Sequence, residues 1–245
     1  MLRGIYTATS GMLAESMRMD VSSNNLANVD TAGFQKQTAH VYPFPERPIA
    51  RVYQGQHRVL GLLGTGAFVD GSVTSFAPGT VRTTHNPLDV AIVGAGFFAI
   101  QTPEGTRYTR DGRFTVNASG LLATLDGNLV RGEQGPIYVG DGGEVLFNEQ
   151  GEITVNGELV NKLLIVEFND RNGLLRRGSN LFEALPTAGE PFRYRATIVP
   201  GALELANVNV VTEMVNLITI QRAYEANQKV VQSYDETLGK IVNEI

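Results

Sequence analysis

The sequence predicts a mixed α and β fold, with one helix at each end and a central antiparallel β-rich domain of hairpins. Three observations predict it. Apolar residues recur at helical spacing only near the two ends of the chain. The middle consists of short apolar runs broken by Gly and Pro. Two-residue turn signals, Asp126-Gly127 and Asn156-Gly157, stand between such runs.

The C-terminal helix has the stronger pattern. Leu217, Ile220, Tyr224, Asn227, Val231, Tyr234, Leu238, Ile241 and Ile245 follow alternating steps of three and four, and all but Asn227 are apolar or aromatic. Between them stand Gln221, Arg222, Glu225, Gln228, Lys229, Asp235, Glu236 and Lys240, which makes the helix amphipathic. It starts near Asn209 to Thr212, with either of these as N-cap. Gly239 weakens its last turns by up to ~1 kcal/mol relative to Ala.

Over residues 3–28 the N-terminal helix repeats the spacing with Leu2, Ile5, Thr9, Met12, Ser16, Met19, Ser23 and Leu26, mixing bulky apolar with small hydroxyl residues. Asn24-Asn25-Leu26-Ala27-Asn28 then leads to Thr31-Ala32-Gly33, residues suited to a helix stop, with Gly33 left-handed. Isolated helices draw most of their stability from packing, so both must lie on each other, on the middle, or on other copies.

Tyr42-Pro43-Phe44-Pro45-Glu46-Arg47-Pro48 runs extended, and short β-like pieces follow at Ile49 to Tyr53 and Arg58 to Leu63. Val90 to Ile100 is read as one strand containing Gly94 and Gly96, followed by strands at Arg107 to Arg110, Arg113 to Val116 and Leu163 to Phe168. Asn117-Ala118-Ser119-Gly120 before Asp126-Gly127 is echoed by Asn148-Glu149-Gln150-Gly151 before Asn156-Gly157, so the middle is read as repeated hairpins. The expected divisions are 1–35 and 204–245 for the helical ends, 36–80 for an extended and β linker region, and 81–203 for the β-domain.

Composition excludes several function classes. A net charge of -5 gives no electrostatic basis for nucleic-acid binding or an anionic membrane surface. Without cysteine there is neither a disulfide framework nor a thiolate metal site. No run approaches the ~18 apolar residues of a membrane span, and the first residues do not read as a cleaved signal peptide. His40, His57 and His85 lie far apart, without metal-site spacing. Gly94-Ala95-Gly96 lacks the third glycine of a dinucleotide loop and lies between strands, where a β-bulge or close backbone packing is the better reading; Asp170-Arg171-Asn172-Gly173 is a turn rather than a calcium loop. Phe97, Phe98, Tyr108 and Phe114 are read as β-domain core. Carboxylates are scattered, and the chain is not read as an enzyme.

Thr9-Ser10-Gly11-Met12, Asn24-Asn25-Leu26-Ala27-Asn28-Val29 and Thr31-Ala32-Gly33-Phe34 resemble the N-terminal signature of the flagellar rod and hook axial family. Asn207-Val208-Asn209-Val210, Met214-Val215-Asn216 and Gln221-Arg222-Ala223-Tyr224-Glu225-Ala226-Asn227 resemble its C-terminal signature. Asn86-Pro87-Leu88-Asp89-Val90-Ala91-Ile92, Gly96-Phe97-Phe98 and Tyr108-Thr109-Arg110-Asp111-Gly112-Arg113-Phe114 are similar to its central block. Length excludes a typical hook protein and the smallest proximal rod subunits; the distal rod protein and the larger proximal rod protein both fit.

The resemblance implies a structural subunit of the basal-body rod, outside the cytoplasmic membrane, without cofactor or membrane insertion. Its terminal helices would pair as a coiled coil in the innermost domain of a tube, with the β-domain outside. Its partners would be copies of itself, neighbouring rod and hook proteins, and the type III export apparatus, which passes such subunits without a cleaved signal. The shared seven-residue spacing nominates an assembly seam of Ile5, Met12, Met19 and Leu26 with Leu217, Ile220, Tyr224, Val231, Tyr234, Leu238 and Ile241. Asn24, Asn25 and Asn28 either bond between subunits or only end the helix, while Gly33, Phe34, Gln221 and Arg222 are further motif residues. The alternative from another class is a soluble non-flagellar binding protein, with an intramolecular helical hairpin and a ligand- or surface-binding β-domain.

Overall fold

A computed structural model describes residues 2–53, 56–140 and 142–243. Ile245 and the side chains of Leu2 and His57 lie outside what is described. The chain divides into a helical unit, built from the residues up to Ala27, Gln37–Val73 and the residues from Asn209, and a β-unit, Asn28–Lys36 with Thr74–Val208.

In the helical unit, α1 spans Leu2–Ala27 and α2 spans Val210–Asn243, and the two pack against each other. Asn209 caps α2: its Oδ1 accepts the Thr212 backbone N–H at 3.0 Å and the Thr212 hydroxyl at 3.2 Å. Thr212 therefore lies inside the first turn, where its hydroxyl serves the cap rather than forming it.

Residues 37–73 form two ribbons. β1 (Gln37–Pro43) pairs with β4 (Ala67–Thr74), and β2 (Arg47–Tyr53) pairs antiparallel with β3 (Gln56–Leu63). Pro48 is tolerated because β2 has a partner on one side only, so its missing N–H breaks no central ladder. The register places Arg51 opposite Arg58, both exposed.

The β-unit is organised by one central strand, Phe97–Thr102. It pairs with Gly105–Thr109, Leu129–Gly132 and Ile165–Glu167. Alternate side chains leave a strand on opposite faces, and both faces of this one are buried. Phe98 and Ile100 enter a core with Phe114, Leu122, Val130, Ile153 and Ile198. Phe97 and Ala99 enter a second core with Tyr108, Val166, Phe168 and Phe182. Edge-on aromatic pairs fill both, Phe98–Phe114 at 5.2 Å and Tyr108–Phe168 at 4.8 Å between ring centres.

The single strand expected over Val90 to Ile100 is two strands, Val90–Val93 and Phe97–Thr102. Gly94 and Gly96 turn the chain with φ of 89° and 110°, values a side chain disfavours. The first piece then pairs with Thr197–Pro200 instead of joining the central ladder. A methyl group on Gly96 would sit 2.7 Å from the Ile165 side chain, so close packing also requires glycine here.

The echoed tetrapeptides are a repeated turn. Asn117 Oδ1 accepts the backbone N–H groups of Ser119 and Leu121 at 2.9 and 3.0 Å. Asn148 Oδ1 does the same for Gln150 and Glu152 at 3.0 and 2.8 Å. Both turns close on a left-handed glycine, Gly120 or Gly151. Asp170 likewise caps a short 3-10 turn by accepting the Asn172 N–H.

Candidate functional site

Two arrangements of motif residues stand out, one in each unit. In the helical unit, Gly4 faces Tyr234, Gly11 faces Asn227, and the Ser22 hydroxyl donates to Glu213 Oε2 at 2.7 Å. Positions on one helix fall as those on the other rise, so the pair is antiparallel. The covered row of α1 is Gly4, Ala8, Gly11, Glu15, Arg18, Ser22 and Asn25, stepping alternately by four and three. Small residues let the α2 side chains reach close to the α1 backbone. Asn25, the last residue of this row, is buried, and its side chain holds both backbone groups of Gln37, accepting its N–H at 2.9 Å and donating to its carbonyl at 2.7 Å. It fastens the start of β1 to α1.

The nominated residues fall as follows. On α2, Ile220 is buried, Leu217, Tyr224, Val231, Tyr234 and Leu238 are half-buried, and Ile241 is exposed. On α1, Ile5, Met12, Met19 and Leu26 are half-buried, flanking the small-residue row one position away. Asn24 is exposed; Asn28 is half-buried and accepts the Thr31 hydroxyl at 3.3 Å. Gln221 and Arg222 lie on the exposed side of α2, where Gln221 donates to Glu225 at 3.1 Å.

Outside this pairing the helices expose an apolar surface. Tyr6 is 72% exposed, and Leu13 and Met17 are also exposed on α1; Val211 is 70% exposed, with Met214, Val215 and Ile218 beside it on α2. A groove of about 1120 Å³ in the same unit is lined by Tyr6, Pro48, Ile49, Leu63, Val230 and Tyr234, among others.

Gly4 and Gly239 predict opposite outcomes. A Gly4→Val side chain would run into the Tyr234 phenol. Thermal unfolding of the helical signal should show a loss of about 1–3 kcal/mol, the usual range for overpacking. Gly239 has open space around it, so Gly239→Ala should gain up to ~1 kcal/mol in the same measurement.

In the β-unit, all three motif blocks meet around a buried ion pair. Arg110 NH1 donates to Glu204 Oε2 at 3.1 Å, the side chains being 2% and 1% exposed. Arg110 NH2 donates to the Gly94 carbonyl at 2.6 Å, and its guanidinium lies 5.5 Å from the Phe97 ring centre. Burial pulls the Arg110 pKa down, and the neighbouring Glu204 carboxylate opposes that shift. Glu204 Oε1 accepts the Gly79 N–H at 2.9 Å and Gln35 Nε2 at 3.4 Å, and its carbonyl accepts the Gly33 N–H at 2.8 Å.

Gly33 has a φ of 66°, the left-handed conformation expected of it, and a Cβ added there would collide with the Arg110–Asp111 peptide. Phe34 is fully buried, with the Arg176 guanidinium 4.1 Å above its ring. Asn180 donates to the Ala32 carbonyl at 2.9 Å. Asn207 completes the cluster. Its Oδ1 accepts the Lys36 N–H at 2.6 Å, and its Nδ2 shares its two hydrogens among Gln35 Oε1 at 3.0 Å and the Ser75 and Ala77 carbonyls at 2.8 Å each.

Arg110 and Asn207 stood in motif blocks without an assigned role, and nothing in the sequence marked Glu204 or Glu213. Apart from Arg110 Nε and one terminal nitrogen of Arg176, which have no hydrogen-bond partner among the described residues, the polar groups of the cluster are engaged with one another, so the arrangement can hold chain segments together. Among the described residues no three His, Cys, Asp or Glu side chains gather to hold a metal ion, and no helix is long and apolar enough to cross a membrane.

Three family models match. Residues 5–35 match the flagella basal body rod protein model, residues 91–161 the flagellar hook protein FlgE/F/G D1 domain, and residues 199–244 the flagellar basal body rod FlgEFG protein C-terminal model. The chain is 30% identical to the flagellar hook-basal body complex protein FlhO of Bacillus subtilis, covering 100% of this chain and 99% of the relative. It is 33% identical to the flagellar basal-body rod protein FlgG of Borreliella burgdorferi, over 98% and 97% of the two chains. To the rod protein FlgF of Caulobacter vibrioides it is also 33% identical, over 97% and 98%.

Proposed function

Since the chain belongs to the family of flagellar basal-body rod proteins, we propose that it is a structural subunit of the rod that polymerises through its paired terminal helices. The observation that carries the mode of assembly is the apolar surface left on the helix pair. Tyr6, Leu13, Met17, Val211, Met214, Val215 and Ile218 are exposed on helices that already have each other as partners. Covering one such side chain contributes roughly 1.5–3 kcal/mol, and in a polymer the gain recurs in every subunit. The occupant is a second copy, and at the ends of the stack a neighbouring rod or hook protein.

Within each subunit the α1–α2 pairing is a short antiparallel coiled coil. Leu217, Ile220, Tyr224, Val231, Tyr234 and Leu238 supply its α2 side; Ile5, Met12, Met19 and Leu26 flank the small-residue row and take part in the seam between subunits, as does Ile241. Delivery is by the flagellum's own export apparatus to the basal body. FlgG and FlgF relatives match over nearly the whole chain, which leaves the distal and the larger proximal rod positions both compatible.

The reading is tested by Val215→Asp with Ile218→Asp, two exposed positions whose change leaves the isolated chain intact. Far-UV circular dichroism of the dilute variant should match the parent, while polymer recovered by sedimentation from concentrated protein should fall at least about tenfold. At ~1.5–3 kcal/mol per position the two changes together weaken the contact by about a hundredfold or more, so a tenfold fall is a conservative threshold. Undiminished polymer from the double variant would sink the proposal.

A further inference from the structure

The β-unit is completed by its last residues. Thr197–Pro200 pairs with Val90–Val93 and sends Ile198 into the main core, and Ala202–Glu204 pairs with Val81–Thr83. Immediately afterwards Leu205 donates to the Thr80 carbonyl at 2.8 Å, and Asn207 takes hold of Lys36, Gln35, Ser75 and Ala77. Residues 33–36 and 75–80 therefore owe much of their polar satisfaction to residues 204–207. Gly33, Lys36 and Gly79 donate their backbone N–H groups to that run, and Ser75 donates to the Lys36 carbonyl. Arg110, whose charge is buried, finds its carboxylate there as well.

Much of the central sheet rests on a different kind of contact, although Ile165–Glu167 and Phe182–Ala184 join it from farther along the chain. Phe97–Thr102 and Gly105–Thr109 are neighbours in sequence, as are Phe114–Val116, Leu122–Thr124 and Leu129–Gly132. The C-terminal run joins positions separated by 94 residues at Arg110–Glu204 and 171 at Lys36–Asn207. Loop closure over such lengths is the slow, late part of folding, while hairpins form early.

We propose that residues 197–207 are a closing latch of the β-unit. The hairpin sheet assembles first, and residues 28–36, the 75–80 strand approach and the Arg110 turn become fixed only when the latch docks. The same run is the first part of the unit to open. For a chain threaded out in an extended state, this delays locking until almost all of it has emerged; that consequence rests on the rod reading, whereas the latch itself does not.

The test is native-state hydrogen exchange on the full-length chain, comparing the parent with Asn207→Ala and, separately, Glu204→Gln. The informative amides are Gly33, Ser75, Gly79 and Leu205, none of which donates to the Asn207 side chain, against Leu122 and Ala99 in the sheet. In Asn207→Ala the first group should exchange on the order of tenfold faster together, with the sheet amides within about twofold of the parent. If only Lys36 accelerates, the contact is local and there is no latch. If latch and sheet amides accelerate alike, the unit opens as a whole and the proposal fails. Should Glu204→Gln not fold, Asn207→Ala alone decides, because Asn207 is half-buried and not part of either core. Failure of this test with intact polymerisation would leave the rod reading standing.

Discussion

Replacing Arg110 with methionine should lower the stability of the β-unit by about 3–5 kcal/mol, the usual consequence of stripping one partner from a buried ion pair. The variant leaves the Glu204 carboxylate in a site that is 1% exposed, still facing the Gly79 N–H and Gln35 but without a countercharge. It also frees the Gly94 carbonyl, which fixes the turn between Val90–Val93 and the central strand. Urea unfolding followed by tyrosine fluorescence would read the loss as a lower midpoint with little change in slope. The double variant Arg110→Met with Glu204→Gln should recover part of it, since neither remaining group is charged. A single variant as stable as the parent would show that the pair adds nothing beyond its volume.

The second large effect is at Gly33. Gly33→Ala meets two costs. The left-handed backbone disfavours a Cβ by roughly 1–2 kcal/mol, and the methyl group would collide with the Arg110 carbonyl carbon and the Asp111 nitrogen. The backbone there cannot move aside without disturbing the Arg110–Glu204 pair. Gly157 supplies the comparison: its φ is 85°, yet nothing lies within 4 Å of a Cβ built there. Gly157→Ala should therefore lose only the conformational part, about 1 kcal/mol, and Gly33→Ala at least about 3 kcal/mol. Equal losses in calorimetry at the two sites would mean that Gly33 is required for its dihedral angle alone.

These two sites show where sequence reasoning reached and where it stopped. Gly33 was legible as a left-handed glycine because helix stops have a local chemistry, whereas the tetrapeptides at 117 and 148 were legible only as an echo, their Asn-capped turns emerging from the structure. The helix α2 was legible because its apolar residues are bulky and evenly spaced. On α1 the same rule selected the bulky residues, but approach between helices is set by where the backbone is bare, which is the row of Gly4, Ala8 and Gly11. The glycines at 94 and 96 were legible as an irregularity, but the separation into two strands with different partners was not, because the apolar runs on either side read as continuous until those partners are known. Glu204 gave no signal at all. One glutamate resembles another until the chain brings Arg110 to it from 94 residues away.

The opposition of Arg51 and Arg58 across the β2–β3 ribbon carries a consequence for the electrolyte around the protein. Like charges facing each other on exposed strands repel, and the Arg51 guanidinium resting 5.5 Å from the Tyr53 ring centre offsets this only in part. Dissolved ions screen the repulsion over about 10 Å at 0.1 M and less at higher concentration. The ribbon therefore tightens as ionic strength rises, whereas an exposed bridge such as Arg177–Glu183 weakens under the same change.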